Sequence, residues 1–309
     1  MQAVSFNDPI PEDLRGGCVA LGNFDGVHPG HVAVIDGARA IADERAPLLV
    51  ATFDPTPRDL FAPNGPPMRI HTPLQRDRAF ESLGVDGRIL IPFDLRLSQL
   101  SDVEFVDGVL VDRLGVTGVA VGNDFRFGRG RMGDAVRLAA LGAERGIAVR
   151  IVDEVSDRVG KLSSTRIREA IASGDMAGAA KLLGDWWVID SVVEHGEKRG
   201  RTLGFPTANM RLGKLIQPPF GVYAVWFREA GEADWRAGVA SYGRTPTTGL
   251  RDPLLEVHAL DFDGDLYGKR LEVAFAGFLR AEARFDSLDA LIAQMDADCV
   301  RARDILETP

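Results

Sequence analysis

The side chains able to do chemistry fall into two sets. In the first half, residues 22–31 read Gly-Asn-Phe-Asp-Gly-Val-His-Pro-Gly-His, with His28 and His31 on either side of Pro29 and Gly30. Two imidazoles at this spacing can donate hydrogen bonds to an anion, and Gly30 leaves room for a phosphate to approach the backbone. Residues 121–131 place Arg126, Arg129 and Arg131 among three glycines. Residues 161–168, Lys-Leu-Ser-Ser-Thr-Arg-Ile-Arg, offer the hydroxyls of Ser163, Ser164 and Thr165 as helix caps and the cations Arg166 and Arg168 beside them. This is a phosphate-gathering set. In the second half, residues 195–209 hold three glycines and three basic residues before Thr207 and Asn209. Such a loop suits phosphates, and the neutral oxygens of Thr207 and Asn209 suit Mg²⁺. Glu256 and His258 follow in a strand pattern that puts both on one face, where a carboxylate can take the proton of an attacking hydroxyl.

Each feature has a plainer reading: a turn that holds two histidines, a capped helix with solvated arginines, a surface carboxylate. Phe125 and Phe127 read as core rather than as ring platforms. In the first half the positions of the polar residues favour the chemical reading, whereas for Glu256 alone the surface carboxylate stays the better account until the family resemblance below. Apolar runs at 17–22, 47–53, 88–93, 116–122 and 147–152 alternate with helical patterns at 31–44, 73–83, 102–113 and 133–145. That alternation predicts a doubly wound α/β domain with ligands at the carboxyl ends of its strands, and the unusual residues follow those ends. Residues 22–31 then stand between a strand and a helix, where unpaired backbone N–H groups and the helix dipole favour an anion. The stretch is neither G-x-G-x-x-G nor a Walker A motif.

From Trp186 onward the pattern changes to short alternating runs separated by turn residues, which predicts a small antiparallel barrel followed by a helix at about 287–306. The helical patterns between 169 and 185 break at Gly174 and end at Gly184. The expected domains are therefore 1–185 and 186–309.

Composition sets outer bounds. The 309 residues are 45% hydrophobic and carry a net charge of −9, so no global basic field exists for nucleic acid. Cys18 and Cys299, the two cysteines, stand in no metal-ligand spacing. No signal peptide or membrane span is expected, cytoplasm is the expected compartment, and formation of a homo-oligomer is left open.

The motifs together resemble the bacterial bifunctional riboflavin kinase/FMN adenylyltransferase family, also called FAD synthetase. The first 185 residues resemble its adenylyltransferase module through residues 22–31, 52–57, 122–131 and 161–168, within the wider nucleotidyltransferase superfamily of Rossmann-like domains. Residues 204–209, 255–258, 261–269 and the C-terminal pattern resemble its riboflavin kinase module. The resemblance implies ATP as co-substrate, riboflavin and FMN as substrates, FMN and FAD as products, and Mg²⁺ as cofactor. It implies that His28, His31, Ser163, Ser164, Thr165 and Arg168 grip ATP phosphates, and that Gly22, Asn23, Phe24, Asp25, Gly30, Asp124 and Arg126 help bind the nucleotide. It further implies that Gly204, Pro206, Thr207 and Asn209 hold Mg-ATP, with Thr207 and Asn209 on the metal, and that Glu256 is the base for the ribityl 5′-hydroxyl.

Two departures stand out. Thr56 occupies the place of a family histidine in Pro-x-Pro, and residues 238–247 carry Ser241 and Tyr242 where the family reads Asn-Ile. An enzyme retaining one of the two activities, or a non-catalytic flavin or nucleotide sensor, are the alternative expectations.

Overall fold

The computed structural model describes residues 1–194, 205, 207–244 and 253–307. The cationic loop at 195–201, Gly204, Pro206 and the 245–247 end of the variant loop lie outside the described residues. The chain divides into two compact units: Met1–Pro66 with Pro73–Ser163, and Pro67–Thr72 with Ser164–Pro309.

The first unit contains β1 (Gln2–Ser5), β2 (Cys18–Leu21), β3 (Leu48–Phe53), β4 (Gly87–Ile91), β5 (Gly118–Gly122), a small hairpin of β6 (Arg126–Phe127) and β7 (Gly133–Asp134), and β8 (Ala148–Val152). Six of them form one parallel sheet in the order β1-β4-β3-β2-β5-β8. The five apolar runs are its inner strands and one edge. β1 was not expected, because it is a polar edge strand with only Val4 buried. Every residue of β2 and β3 is buried, as both faces are covered. On one face α1 (Pro29–Ile41) and α3 (Pro73–Ser82) bring Ile35, Ala38 and Phe80 against Ala20 and Val50. A Cβ on Gly37 would lie 2.7 Å from Val152, so glycine lets α1 lie close on the sheet. After α2 (Pro57–Phe61) and α4 (Leu95–Gln99), a single turn, α5 (Asp102–Glu104), runs into a π-helical stretch, Phe105–Leu114. This stretch and α6 (Ala135–Glu144) cover the opposite face with Phe105, Val109, Leu110, Leu138 and Leu141 over Val19, Leu21 and Leu49. Each such buried side chain stabilises the fold by roughly 1.5–3 kcal/mol.

The second unit begins with α7 (Ser164–Ser173) and α8 (Met176–Leu183), which end at Gly174 and Gly184, both at positive φ. Then come β9 (Trp187–Val192), β10 (Thr207–Met210), β11 (Gly221–Glu229), β12 (Arg236–Gly243), β13 (Leu254–Ala259) and β14 (Arg270–Ala281). They form a curled antiparallel sheet, β10-β13-β12-β11-β14-β9, whose edges meet at the Glu194–Asn209 bridge. Alternation sorts its two faces. Met210, Leu255, Val257, Tyr242, Tyr223, Phe227, Phe275 and Trp187 point inward and are buried. On the outer face α9 (Leu288–Glu307) covers Val222, Ala224, Val239 and Ala276 with Ala302 and Leu306. Arg280 locks the helix down through a bidentate pair with buried Asp298, at 2.7–3.0 Å. The segment Pro67–Thr72 belongs here as well: Ile216 N–H donates to Arg69 O at 2.8 Å and the Trp187 indole to Ile70 O at 3.0 Å.

Candidate functional site

In the first unit the turn at residues 22–28 leaves the carboxyl end of β2 and feeds directly into α1. It is pinned to β3: Gly22 N–H donates to Ala51 O, and the buried Thr52 hydroxyl donates to Asn23 O at 3.0 Å. Arg76, almost fully buried, reaches the same hydroxyl from α3 at 3.4 Å. Phe24 adopts positive φ and drives its ring into the core, 1% exposed, against Phe80 and beneath the His31 ring. Phe24 thus supports the turn from below, while Asn23 is exposed and Asp25 half-buried.

His28 is the N-cap of α1 and lies 5% exposed, with its ring stacked on His31 at 3.8 Å between centroids. Its Nδ1 accepts from the Gly30 N–H at 3.1 Å, and its carbonyl accepts from the N–H groups of His31 and Val32. This corrects one expectation. The backbone donors at the start of α1 are satisfied by His28 rather than left for an anion, because the residue before Pro29 is itself a side-chain cap. An Nδ1 that accepts makes Nε2 the proton-bearing nitrogen of the neutral ring. Gly30 is required here: a Cβ would lie 2.9 Å from His28 Cε1 and 3.5 Å from Leu162 O. The same contact places the 161–163 segment beside the histidine turn.

Asp124 follows β5 and accepts from Lys161 Nζ at 2.5 Å; Lys161 also reaches Glu154 at 3.1 Å. Partial burial pulls the Lys161 ammonium down, but the bonds to Asp124 and Glu154 outweigh it and hold its pKa above the ordinary lysine value. The Asp124 partner went unread in the sequence, although Lys161 opens a motif already singled out. Arg126 pairs loosely with Asp134 across the small hairpin at 3.6 Å, and Arg129 and Arg131 are exposed. Phe127 is core, packed on Phe105 and Phe125.

Thr56 has a structural task. Its hydroxyl accepts from Asp59 N–H at 3.3 Å and its own N–H donates to Asp59 at 3.1 Å, a capping box for α2. Just beyond it, Phe61 is 67% exposed and stands edge-on to Phe93, which in turn meets Phe53 at the carboxyl end of β3. No spacing rule in the sequence joins these three rings; β3 and the segment after β4 bring them together.

Ser163 closes the first unit, while Ser164, Thr165 and Arg168 open α7 in the second. Arg168 Nε donates to Met68 O at 2.8 Å within that unit.

The second constellation lies on the outer face of the curled sheet. Asn209 on β10 is registered opposite Glu256 on β13, and Thr207 opposite His258. All four share the face on which Val239, the next neighbour of His258, packs under α9. Asn209 is buried, Thr207, Glu256 and His258 are half-buried, and Phe205 meets His258 edge-on at 5.1 Å. One carboxylate, one amide, one hydroxyl and one imidazole therefore form a compact polar patch on a rigid sheet. Ser241 on β12 extends the row as the other cross-strand neighbour of Glu256. Neither cysteine joins either constellation; burial pushes both thiols above their ordinary pKa.

A parallel sheet with a histidine-capped turn after β2 and a curled antiparallel sheet with a carboxylate beside neutral oxygen donors make this a chain of two modules, each with its own polar constellation. The family model described as FAD synthetase matches residues 10–166, and that described as riboflavin kinase matches residues 183–306. The chain belongs to the bifunctional riboflavin kinase/FMN adenylyltransferase family. It is 44% identical to the protein of that name from Pseudomonas fluorescens over 98% of this chain and 97% of that one. To the Escherichia coli (strain K12) protein it is 41% identical, over 93% and 92%. A solved structure from Streptococcus pneumoniae, described as a macrolide-efflux protein, is similar with a TM-score of 0.87 and 31% identity over 98% of this chain and 99% of that one. Among the described residues, no helix of this chain is long and apolar enough to cross a membrane.

Proposed function

We propose that the chain converts riboflavin to FMN and FMN to FAD at two separate sites, with kinase chemistry in residues 186–309 and adenylyl transfer in residues 1–185. The observation that carries this reading is that each family model covers one constellation whose side chains fit its own reaction.

At the second constellation the ribityl 5′-hydroxyl must lose a proton as it attacks the γ-phosphorus of ATP, with ADP leaving. Glu256 takes that proton. Its place between Asn209 and Ser241 on the cross-strand ladder puts Glu256 on a rigid element. The donor set fits a hard cation that arrives with nucleotide phosphates and water: Thr207 supplies a hydroxyl oxygen and Asn209 an amide oxygen, both neutral and on one face. Mg²⁺ held there would neutralise charge on the transferring phosphoryl group.

At the first constellation the nucleophile is an FMN phosphate oxygen, already an anion. It attacks the α-phosphorus of a second ATP, the bond to the bridging oxygen breaks, and pyrophosphate leaves. No base is needed; two polyanions must be held together and their charge met by fixed donors. His28 and His31 are those donors, stacked and pinned by the helix cap, with Asn23, Arg126 and Lys161 in the same unit. Exposed Phe61, backed by Phe93, offers apolar surface to a planar flavin ring. Thr56, committed to capping α2, leaves the chemistry to the histidine pair.

The test is an HPLC time course with riboflavin, excess ATP and Mg²⁺. FMN rising and then converting to FAD supports both sites; FMN accumulating without FAD reduces the chain to a kinase, and flavin binding without turnover reduces it to a sensor.

A further inference from the structure

The histidine turn is held from β3 by a side chain that lies outside it in sequence. Thr52, next to the last residue of that strand, is fully buried, and its hydroxyl donates to Asn23 O at 3.0 Å. Arg76 Nη1 reaches the same hydroxyl from α3 at 3.4 Å. A guanidinium only donates, so the Thr52 oxygen accepts from Arg76 and its one proton is committed to Asn23. Two hydrogen bonds in series thus run from a buried cation to a carbonyl of the turn, each polarising the other. The residue after that carbonyl carries the strain. Phe24 has φ of 50°, a left-handed conformation that a bulky side chain keeps only where its surroundings over-determine it. Holding the Asn23 carbonyl fixes the plane of the Asn23–Phe24 peptide, and with it the start of that conformation. The Phe24 ring is thereby turned into the core and under His31, 5.3 Å away, which stacks on His28 at 3.8 Å. A continuous series of contacts joins the Thr52 hydroxyl to both imidazoles.

We propose that Thr52 is a positioning residue for adenylyl transfer: its hydroxyl, oriented by Arg76, holds the Asn23 carbonyl and so keeps Phe24 beneath the histidine pair. The imidazoles are then aimed before substrate arrives. Donors that shift from their aim lose the interaction that is strongest in the transition state, so the loss falls on kcat rather than on KM. The proposal rests on the histidine turn as the site of adenylyl transfer.

Steady-state conversion of supplied FMN to FAD by the full chain tests it with T52V, T52S and H31A, each checked for folding by thermal melting and by phosphorylation of riboflavin. T52V keeps the branched shape and removes the hydroxyl. It should lower kcat for FAD formation about tenfold, the size expected when a buried polar group loses its partner, with KM for FMN and for ATP unchanged. T52S should recover most of the rate, because serine keeps the hydroxyl on the same carbon. T52A, which differs from T52S by one oxygen, repeats the comparison should T52V fold poorly. A full kcat in the variants without the hydroxyl, a rise in KM alone, or an equal loss in T52S would overturn the positioning role, the last because it would indicate packing rather than the hydroxyl. Full adenylyl transfer by H31A would instead overturn the reading of the turn on which the proposal rests.

Discussion

Under the proposed function, the histidine turn and the Glu256 ladder handle the same co-substrate by opposite means. The turn is built from consecutive residues at the end of a parallel strand and contributes hydrogen-bond donors. The ladder is built from strands distant in sequence and contributes one carboxylate flanked by neutral groups. The nucleophiles explain the difference. A phosphate oxygen is already ionised, so its site must gather and neutralise charge. A ribityl hydroxyl is not, so its site must remove a proton. Both sites stand on pre-arranged backbone, a helix cap in one and a cross-strand register in the other, which fixes the chemical groups before substrate arrives.

That contrast can be broken one site at a time. The largest effect belongs to E256Q, which should lower riboflavin phosphorylation by about 10²–10⁴ while conversion of supplied FMN to FAD is untouched, as read by separate assays of the two steps. H28A and H31A should do the reverse: adenylyl transfer falls by about 10²–10³ and phosphorylation holds. His28 also caps α1, so H28A should cost about 1 kcal/mol of stability as well, visible as a lower denaturation midpoint that H31A lacks. G30A should displace the His28 ring, because its Cβ would lie 2.9–3.0 Å from that imidazole; FAD formation should fall with no loss of FMN formation. The smallest effect is at Thr56. T56A should destabilise the protein by about 1 kcal/mol through the lost cap and leave both rates near their starting values. A large loss of adenylyl transfer in T56A would mean that the hydroxyl serves substrate after all.

The two sites were unequally legible in the sequence. His28, Gly30 and His31 lie within one turn, so their spacing alone brings them together, and the apolar runs on either side name the strand and the helix. The cap was hidden: whether the N–H groups at the start of α1 are satisfied by His28 depends on a geometry the residue types leave open. In the second unit, Thr207 with Asn209 and Glu256 with His258 could each be put on a common face by alternation. The pairing of the two strands could not, because register is set by contacts across the whole sheet. Ser241 was readable only as a departure; its place beside Glu256 needed that register. The strand at Gln2–Ser5 was missed because a polar edge strand lacks the periodicity that marks the inner ones. The segment Pro67–Thr72 carries no sign that it belongs with the second unit.

The central claim is that one chain holds two independent sites acting in series. The most direct measurement mixes E256Q and H28A proteins in equal amounts with riboflavin, ATP and Mg²⁺ and follows the flavins by HPLC. The account predicts that FMN appears through the H28A protein and is then converted to FAD by the E256Q protein, although neither alone makes FAD from riboflavin. Absence of FAD in the mixture, with each variant still performing its own step in isolation, would contradict it.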